Sequence, residues 1–263
     1  TMITIDSAGD VGIGTTAPNA ASFGAGVKVL SIEGVTTADF GAIEMTSTCA
    51  GTAGRLGDVR FVNKNGTGSL VAQAGIRGIS DGAVDSTALA FYTEVTGGSL
   101  AEKMKIDSVG RVTTPSQPWF LVWHNSGYPL TARTGDGTNY NVCFNCEICD
   151  NGGNFNGTCF IAPVAGVYGF TSRVQFAGLT SSMDYMYNQI LTSNVTHSVY
   201  GGPWQQATGG SNGCVLTGVV SVAATYMDAG DVALVMTAIS GGSKTVSFLP
   251  GNYATNFQGF LIG

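Results

Sequence analysis

The stretch MITIDSAGDVGIGTTAP (2–18) recurs in altered form as MKIDSVGRVTTPSQP (104–118). Each copy joins an alternating strand to an Asp/Ser/Gly turn and continues into a Thr-containing segment closed by proline. Internal self-similarity of this kind predicts a repeated structural unit. A unit this thin cannot bury its apolar side alone. We therefore expect three copies of the chain to wrap around a shared axis.

The rest of the chain carries almost no helix signal. Its 263 residues include 39 glycines, and only 11% are charged. Short runs of alternating or β-branched residues, such as GVYGFTSRVQF (166–176) and DVALVMTAIS (231–240), are separated by Gly, Ser, Thr and Asn. Many short strands with turn residues between them predict an all-β sandwich or barrel.

Two prolines mark a border at Pro115 and Pro118. Proline lacks the backbone donor and restricts the residue before it, which favours an extended linker. We expect a shaft segment at 1–113, a linker at 114–118 and a globular domain at 119–263. The last part is long enough to bury its own core.

Charge and hydropathy exclude two classes of partner. The net charge is −6 and there is no run of Lys or Arg, so phosphate neutralisation on nucleic acid is not expected. No apolar stretch approaches the roughly 18 residues of a membrane span, so we expect no membrane insertion.

Four of the six cysteines lie in CFNCEICDNGGNFNGTC (143–159). Cys-x-x-Cys spacing is a zinc-ligand pattern. Alternation along a strand would place Cys143 and Cys149 on one face and Cys146 on the other, so the three would not converge on one ion. A Cys149–Cys159 disulfide stays open, because spacing does not fix pairing.

The N-terminal motif resembles the shaft motif of phage tail fibres, and also that of the fibre-like adhesins of some predatory bacteria. The resemblance covers residues 1–113 and includes GDVRFVN (57–63). In the second copy of the motif, Thr113-Thr114-Pro115 replaces the usual Val-Gly-Ile-Gly-Thr, as expected where a shaft ends.

Residues 119–263 resemble the head domains of the complement and tumour-necrosis-factor-like family. The match rests on GGNFNGTCFIAPVAGVYGF (152–170), DAGDVALVM (228–236) and NFQGFLIG (256–263). The resemblance implies a trimeric jelly-roll β-sandwich with a turn at Gly230-Asp231. It also implies a central strand entered by a conserved run, and a last strand that carries Phe257 and Phe260 into the core. The members of that run are Phe160, Ala162, Pro163, Gly166 and Tyr168.

Together the two resemblances imply an intertwined trimeric β shaft followed by a jelly-roll head. The function they imply is a homotrimeric tail-fibre tip of a virion, binding a glycan or outer-membrane protein of a host bacterium and joined to other fibre or tail proteins on its N-terminal side. One alternative is a structural trimerisation cap. The other is an adhesin at the cell surface, or on an extracellular fibre, of a predatory bacterium.

The loop HSVYGGPWQQATGGSN (197–212) is the candidate receptor site. Aromatic faces and directional amides suit sugars or proteins. The candidate residues are His197, Tyr200, Trp204, Gln205 and Gln206. In the competing interpretation, Trp204 packs on its own head or on the neighbouring subunit. The stretch SSMDYMYNQ (181–189) has the same two interpretations, and its alternating Met183, Tyr185 and Tyr187 are expected to pack in a strand.

No catalytic site is expected. A hydrolytic carboxylate pair would need two acids side by side, whereas three of the six acids of residues 119–263 adjoin Gly or Asn, where Asp commonly serves a turn. Asp228 and Asp231 bracket such a turn and are weak candidates for a calcium ion. His124 and His197 stand apart from any nucleophile pattern. Calcium aside, no cofactor is expected.

Overall fold

A computed structural model of the chain describes residues 3–18, 27–33, 42–48, 54–83, 85–125, 132–180, 182–201 and 214–263, without the side chains of 214–216 and 223. The chain divides into two compact units, Thr1–Thr113 and Thr114–Gly263. The described residues of both form strands and turns with no helix, which confirms the all-β prediction.

The described part of the first unit contains a three-stranded and a five-stranded sheet. In the first sheet, β1 pairs antiparallel with β2, and β2 pairs parallel with β3. The second sheet is an antiparallel meander in the order β4-β5-β6-β7-β8. The strands are β1 (Ile3–Ile5), β2 (Val11–Ile13), β3 (Leu30–Ile32), β4 (Arg55–Lys64), β5 (Leu70–Ser80), β6 (Thr87–Glu94), β7 (Leu100–Ile106) and β8 (Val112–Thr113).

The two copies of the repeat fold as the same turn. The Asp6 Oδ1 accepts hydrogen bonds from the N–H groups of Ala8 and Asp10, at 2.9 and 2.9 Å. The Asp107 Oδ1 accepts the corresponding pair from Val109 and Arg111, at 3.1 and 2.8 Å. In each copy the glycine three residues after the aspartate has a positive φ, 83° at Gly9 and 89° at Gly110, a conformation that glycine adopts without steric cost.

A third turn of the same geometry joins β4 to β5, where the sequence comparison found no repeat. The Asn65 Oδ1 accepts hydrogen bonds from the N–H groups of Thr67 and Ser69, at 3.1 and 2.9 Å, and Gly68 has a φ of 83°. An asparagine oxygen replaces the aspartate oxygen because the turn requires only an acceptor. Three of the hairpins in the described part of the first unit therefore share one turn design.

The five-stranded sheet has one apolar face that lies open. Register aligns Val59 with Ile76, Ile76 with Phe91 and Phe91 with Met104, so these four side chains form a row across four strands. Phe61, Leu89 and Ile106 share that face, because side chains alternate along a strand. Phe61 is 62% exposed and Leu89 42%. We call these seven residues the apolar face.

The opposite face of the sheet is polar and partly covered. Asp58 lies opposite Arg77, and the Arg77 Nη2 is 3.1 Å from the Asp58 Oδ2. Among the described residues of this unit, Ala88 and Ala90 are the buried hydrophobic ones. Two alanines contribute little burial energy, since stabilisation follows apolar area removed from water. The described part of the first unit therefore has no substantial core of its own.

The second unit folds as two facing sheets. Its strands are β9 (Trp119–Trp123), β10 (Tyr140–Asn141), β11 (Cys146–Asn151), β12 (Cys159–Ile161), β13 (Gly166–Leu179), β14 (Tyr185–Thr192), β15 (Thr196–Gly201), β16 (Cys214–Met227), β17 (Val232–Ser240), β18 (Ser247–Phe248) and β19 (Asn256–Leu261).

One sheet has the order β11-β9-β19-β13-β16, and β18 also pairs with β13. The other has the order β10-β17-β14-β15, and β12 also pairs with β17. The chain passes between the sheets after every strand from β9 to β13, and again after β15, β16 and β17. The last strand, β19, therefore pairs with β9 and β13 rather than with its sequence neighbours. Two sheets joined by such Greek-key crossings form a jelly-roll sandwich.

Alternation along β13 builds the core between the sheets. Tyr168, Phe170, Val174 and Phe176 are at most 2% exposed, and Ser172 is buried among them, whereas Thr171, Arg173 and Gln175 lie on the outward face. Phe120 packs against Phe160 with ring centroids 4.8 Å apart, and against Phe257 at 5.0 Å. An aromatic cluster of this kind supplies most of the apolar burial in a domain of this size.

The prediction for the last strand is half wrong. Phe257 is fully buried, but Phe260 is 54% exposed on the outer face of its sheet. Residues three apart in a strand point to opposite faces, so the two phenylalanines cannot share a core.

The Pro-containing segment 114–118 is a turn rather than the expected extended linker. The Gln117 N–H donates to the Thr114 carbonyl at 3.0 Å, with Pro115 at the turn position that proline favours. The Asn151 Nδ2 donates to the carbonyls of Pro115 and Gln117, at 2.9 and 2.7 Å. The Gln117 Nε2 donates to the Leu261 carbonyl at 2.7 Å. These bonds hold the segment on the second unit.

Candidate functional site: a tyrosine cluster on the second unit

Three tyrosines meet on the outer face of the sheet that contains β14 and β15. Met186, Asn188 and Ile190 of β14 point into the core and are at most 3% exposed, so Tyr185 and Tyr187 point outward. Tyr200 lies directly opposite Tyr187 on β15 and therefore shares its face. We call Tyr185, Tyr187 and Tyr200 the tyrosine cluster.

The rings of the cluster are in contact but open to solvent. The ring centroids of Tyr185 and Tyr187 are 6.5 Å apart with planes 14° from parallel. Those of Tyr187 and Tyr200 are 5.8 Å apart and tilted by 57°. Tyr200 is 69% exposed and Tyr185 45%. An aromatic group this exposed on a strand face offers binding area rather than core packing.

The centre of the cluster is anchored to the sheet. The Tyr187 hydroxyl donates a hydrogen bond to the Asn139 Oδ1. Ala238, which lies opposite Tyr187 on β17, is fully buried although it is on the outer face. Burial raises the pKa of Tyr187 above its ordinary value, and the neighbouring Tyr185 and Tyr200 raise it further. The ring is therefore fixed and its hydroxyl stays neutral at physiological pH.

Neutral polar groups border the cluster. Asn139, Asn141 and Ser198 are exposed. Asn141 and Ser198 belong to the next row of the same face, opposite Met236 and Gln189 respectively. The Gln189 Nε2 donates to the Ser198 Oγ at 2.9 Å. These side chains supply hydrogen-bond donors and acceptors but no charge.

The structure brings together part of the predicted receptor site. Tyr200 joins the cluster, whereas His197 does not, because it lies opposite the buried Ile190 and so on the other face of β15. Trp204, Gln205 and Gln206 lie outside the described residues.

Sequence reasoning weighed Tyr185 and Tyr187 both as contact residues and as packing residues, and it favoured packing. They do lie in a strand, as expected, but on its solvent side. The apolar Met186 and Ile190, which lie an even number of residues apart, were the sequence signal that the core face alternates with the tyrosines.

Asp228 and Asp231 lie at the turn before β17, where Gly230 has a φ of 92°. The Asp231 Oδ2 accepts hydrogen bonds from the Asp228 N–H at 2.9 Å and from the Asn194 Nδ2 at 2.9 Å. This carboxylate thus ties the turn to a neighbouring loop, a structural use that is common for Asp. Within the described part of the chain, no group of three or more His, Cys, Asp or Glu side chains could hold a metal ion.

The expected placement of the cysteines on β11 is wrong. Cys146 lies opposite Trp123 and Cys149 opposite Leu121, with a bulge between Glu147 and Cys149. The bulge adds one residue, so Cys146 and Cys149 share a face, and Cys143 lies before the strand. Cys143, Cys146, Cys149 and Cys159 are free thiols. Burial raises the pKa of the Cys149 thiol, which makes it a poor nucleophile.

The outer face of the other sheet carries a second aromatic surface. Trp119 is 48% exposed and lies directly opposite the exposed Phe260. Trp123 occupies the same face four residues further along β9. We call these three residues the tryptophan face. Arg173 lies on this side of β13, and its buried Nε has no hydrogen-bond partner among the described residues.

No helix in the described residues is long and apolar enough to cross a membrane. No protein-family model matches the chain, and a search of curated proteins finds no relative. Among solved structures, the chain is similar to crystal structures of murine APRIL at pH 8.5 and at pH 8.0. Each alignment covers 56% of this chain and 99% of the APRIL chain, with 10% identity and a TM-score of 0.36. The strand order of the second unit by itself identifies the unit as a jelly roll.

Proposed function

We propose that the chain forms the tip of a homotrimeric phage tail fibre, which attaches the virion to a glycan or protein on the surface of a host bacterium. Residues 1–113 form the end of the shaft, and residues 119–263 form the head that meets the host. The fibre performs no chemistry, needs no metal, and continues on its N-terminal side into other fibre or tail proteins.

The open apolar face carries this proposal. Seven apolar side chains lie on one side of a sheet, and the buried hydrophobic residues in the described part of the unit are two alanines, so that side is left in water in a single chain. Exposed apolar area of this extent marks an association surface. Three copies that turn this face toward a shared axis would remove it from water and create the missing core.

The repeated turn supports a fibre in particular. The turns at Asp6, Asn65 and Asp107 share one hydrogen-bond pattern and end three hairpins in the same way. A structure made of like hairpins suits an elongated assembly, in which each unit contacts its neighbours.

Attachment through a trimer favours weak individual contacts. Three identical sites on one axis, and several fibres on one particle, turn modest single-site affinity into firm attachment. Single-site dissociation constants from millimolar to micromolar, on the order of −4 to −8 kcal/mol, are then sufficient.

The second candidate is a trimerisation cap that does not touch the receptor. The tryptophan face favours it, because the exposed rings and the unpartnered Arg173 Nε indicate a further contact between copies. Under that hypothesis another protein of the particle recognises the host.

Two measurements test the proposal. Native mass spectrometry of the purified chain should give about three times 26.9 kDa, and a folded single chain would contradict it. Fluorescently labelled trimer should bind cells of a strain that the phage infects and compete with infection. A trimer that neither binds such cells nor reduces infection would leave the cap hypothesis as the better explanation.

A further inference from the structure

We infer that the tyrosine cluster is a subsite for an uncharged sugar ring of the host receptor. This inference rests on the proposed function, because it names the ligand class of the attachment site. It assigns the contact to Tyr185, Tyr187 and Tyr200, with Asn139, Asn141 and Ser198 at the rim.

The rings provide the surface that a sugar ring needs. A pyranose presents C–H groups on its flat side, and these lie favourably on the electron-rich face of an aromatic ring. The faces of Tyr185 and Tyr187 are 14° from parallel, and Tyr200 is inclined to Tyr187 by 57°. Two near-parallel rings and one inclined ring therefore lie together on the outer face of the sheet, and Tyr185 and Tyr200 are largely open to solvent.

The rim provides the directional part of recognition. Sugar hydroxyls pair with amide and hydroxyl groups, and Asn139, Asn141 and Ser198 are exposed beside the rings. The bond from Tyr187 to Asn139 and the bond from Gln189 to Ser198 hold two of these groups in place. Side chains that are already ordered lose little entropy on binding, which favours a weak ligand.

The uncharged side chains around the cluster favour a neutral sugar over an acidic one. The outer-face positions of β14 and β15 around the cluster hold Tyr, Gln and Ser, and those of the adjacent β17 hold Met236 and Ala238. Arg173 lies on the other sheet, and the Arg133 guanidinium lies over the ring of Tyr140, 5.2 Å from its centroid. Lys244 lies beyond the end of β17, where its charge acts on the carboxylate of Asp136. An acidic sugar or a phosphate would find no cation in this row to replace its lost hydration.

The size of the cluster favours a sugar over a protein partner. The three tyrosines span two residue steps along β14 and one strand spacing, an area of about 7 Å by 5 Å. That is the footprint of one or two sugar rings. A stable protein interface covers about 800 Å² on each partner.

Saturation-transfer difference NMR on the intact trimer tests the inference. The probes are the methyl glycosides of glucose, galactose, mannose and N-acetylglucosamine, with the methyl glycoside of glucuronic acid as the charged counterpart. At least one neutral glycoside should give a signal, and the glucuronide should give none. Signal from the glucuronide alone, or from no neutral glycoside, would overturn the inference.

The variants Tyr200→Ala and Tyr185→Ala should each weaken binding of that glycoside about tenfold, the size of one lost aromatic contact. Tyr253→Ala is the matched control, since Tyr253 is 73% exposed and lies outside the cluster. An equal loss in the control, or none in the cluster variants, would contradict the assignment. Whole-cell attachment distinguishes failure of the subsite from failure of the proposed function. Cluster variants that bind no glycoside but still attach to cells would refute the subsite alone. Wild-type trimer that does not attach to cells would refute the proposed function.

Discussion

The guanidinium of Arg77 lies over the ring of Tyr92, with its carbon 4.2 Å from the ring centroid. The same guanidinium pairs with Asp58, so one side chain that is 7% exposed connects three strands of the five-stranded sheet. This contact orders the polar face of the sheet within a single chain. Among the described residues, no comparable contact covers the apolar face, which fits its proposed role as an association surface.

Removing that side chain should destabilise the first unit. Arg77→Ala leaves Asp58 with Arg60 alone and deletes the stacking on Tyr92. The expected loss is about 2 kcal/mol, the sum of one charge-assisted hydrogen bond and one cation–π contact, because Asp58 keeps Arg60 as a partner. Differential scanning calorimetry of the whole chain measures it. Arg77→Lys keeps the charge but not the planar stack, and should fall between wild type and alanine; a wild-type value for both variants would refute this role.

The same ion cluster predicts a response to acid. Burial raises the pKa of Asp58, but the hydrogen bonds and charges of Arg60 and Arg77 outweigh it and leave the pKa below the ordinary 3.8. A depressed folded-state pKa gives stability that is present above pH 3.8 and lost as pH falls through the folded value. Thermal midpoints between pH 5 and pH 2 should therefore fall more steeply in wild type than in Asp58→Asn. Parallel curves would contradict this assignment.

Neighbouring residues of β4 provide a matched test of the association surface. Phe61 is 62% exposed on the apolar face, whereas Val62 is 49% exposed and lies opposite Gln73 on the polar face. Phe61→Asn combined with Leu89→Asn should lower the mass in sedimentation equilibrium toward 26.9 kDa, because polar groups would then be buried without partners. Val62→Asn should leave the proposed trimer intact. Dissociation by both changes, or by neither, would place the contact elsewhere.

A missing side chain permits the aromatic packing of the second unit. A Cβ on Gly259 would lie 2.4 Å from the Phe170 ring and 2.8 Å from the Phe120 ring. Gly259→Ala should therefore destabilise the second unit by about 1–3 kcal/mol, as overpacking does. Gly263→Ala is the control, because nothing lies within 4 Å of its added Cβ. Equal urea midpoints for the two variants would mean that the rings yield without cost.

The tyrosine cluster should be visible in an alkaline titration. Burial raises the pKa of Tyr187 above 10.0, and ionised Tyr185 and Tyr200 raise it further. The neutral hydroxyl of Tyr187 contributes to the free energy of unfolding. This contribution is fully present below pH 10 and is lost as the pH rises through the raised pKa. Absorbance at 295 nm should lose part of its late transition in Tyr187→Phe. A variant that loses part of the early transition instead would show that the hydroxyl is not shielded.

Local signals predicted much of the fold, because turns and alternation are encoded by nearby residues. The Asp6 and Asp107 turns follow from Asp and Gly at fixed spacing, and the buried Phe170 and Phe176 follow from alternation along β13. The sequence does not reveal which residues of strands far apart in the chain lie opposite one another. The pairing of Tyr187 with Tyr200, and the bulge that brings Cys146 to the side of Cys149, depend on strands that meet across the sheet.

The common turn at Asp6, Asn65 and Asp107 has a consequence for how such chains change over generations. Five consecutive residues close each turn with their own hydrogen bonds, so a hairpin can be copied or deleted without altering the loops on either side. Duplication or deletion of such a hairpin would lengthen or shorten the proposed fibre by one whole hairpin at a time. The length of the proposed fibre could then evolve separately from the binding specificity of its proposed head.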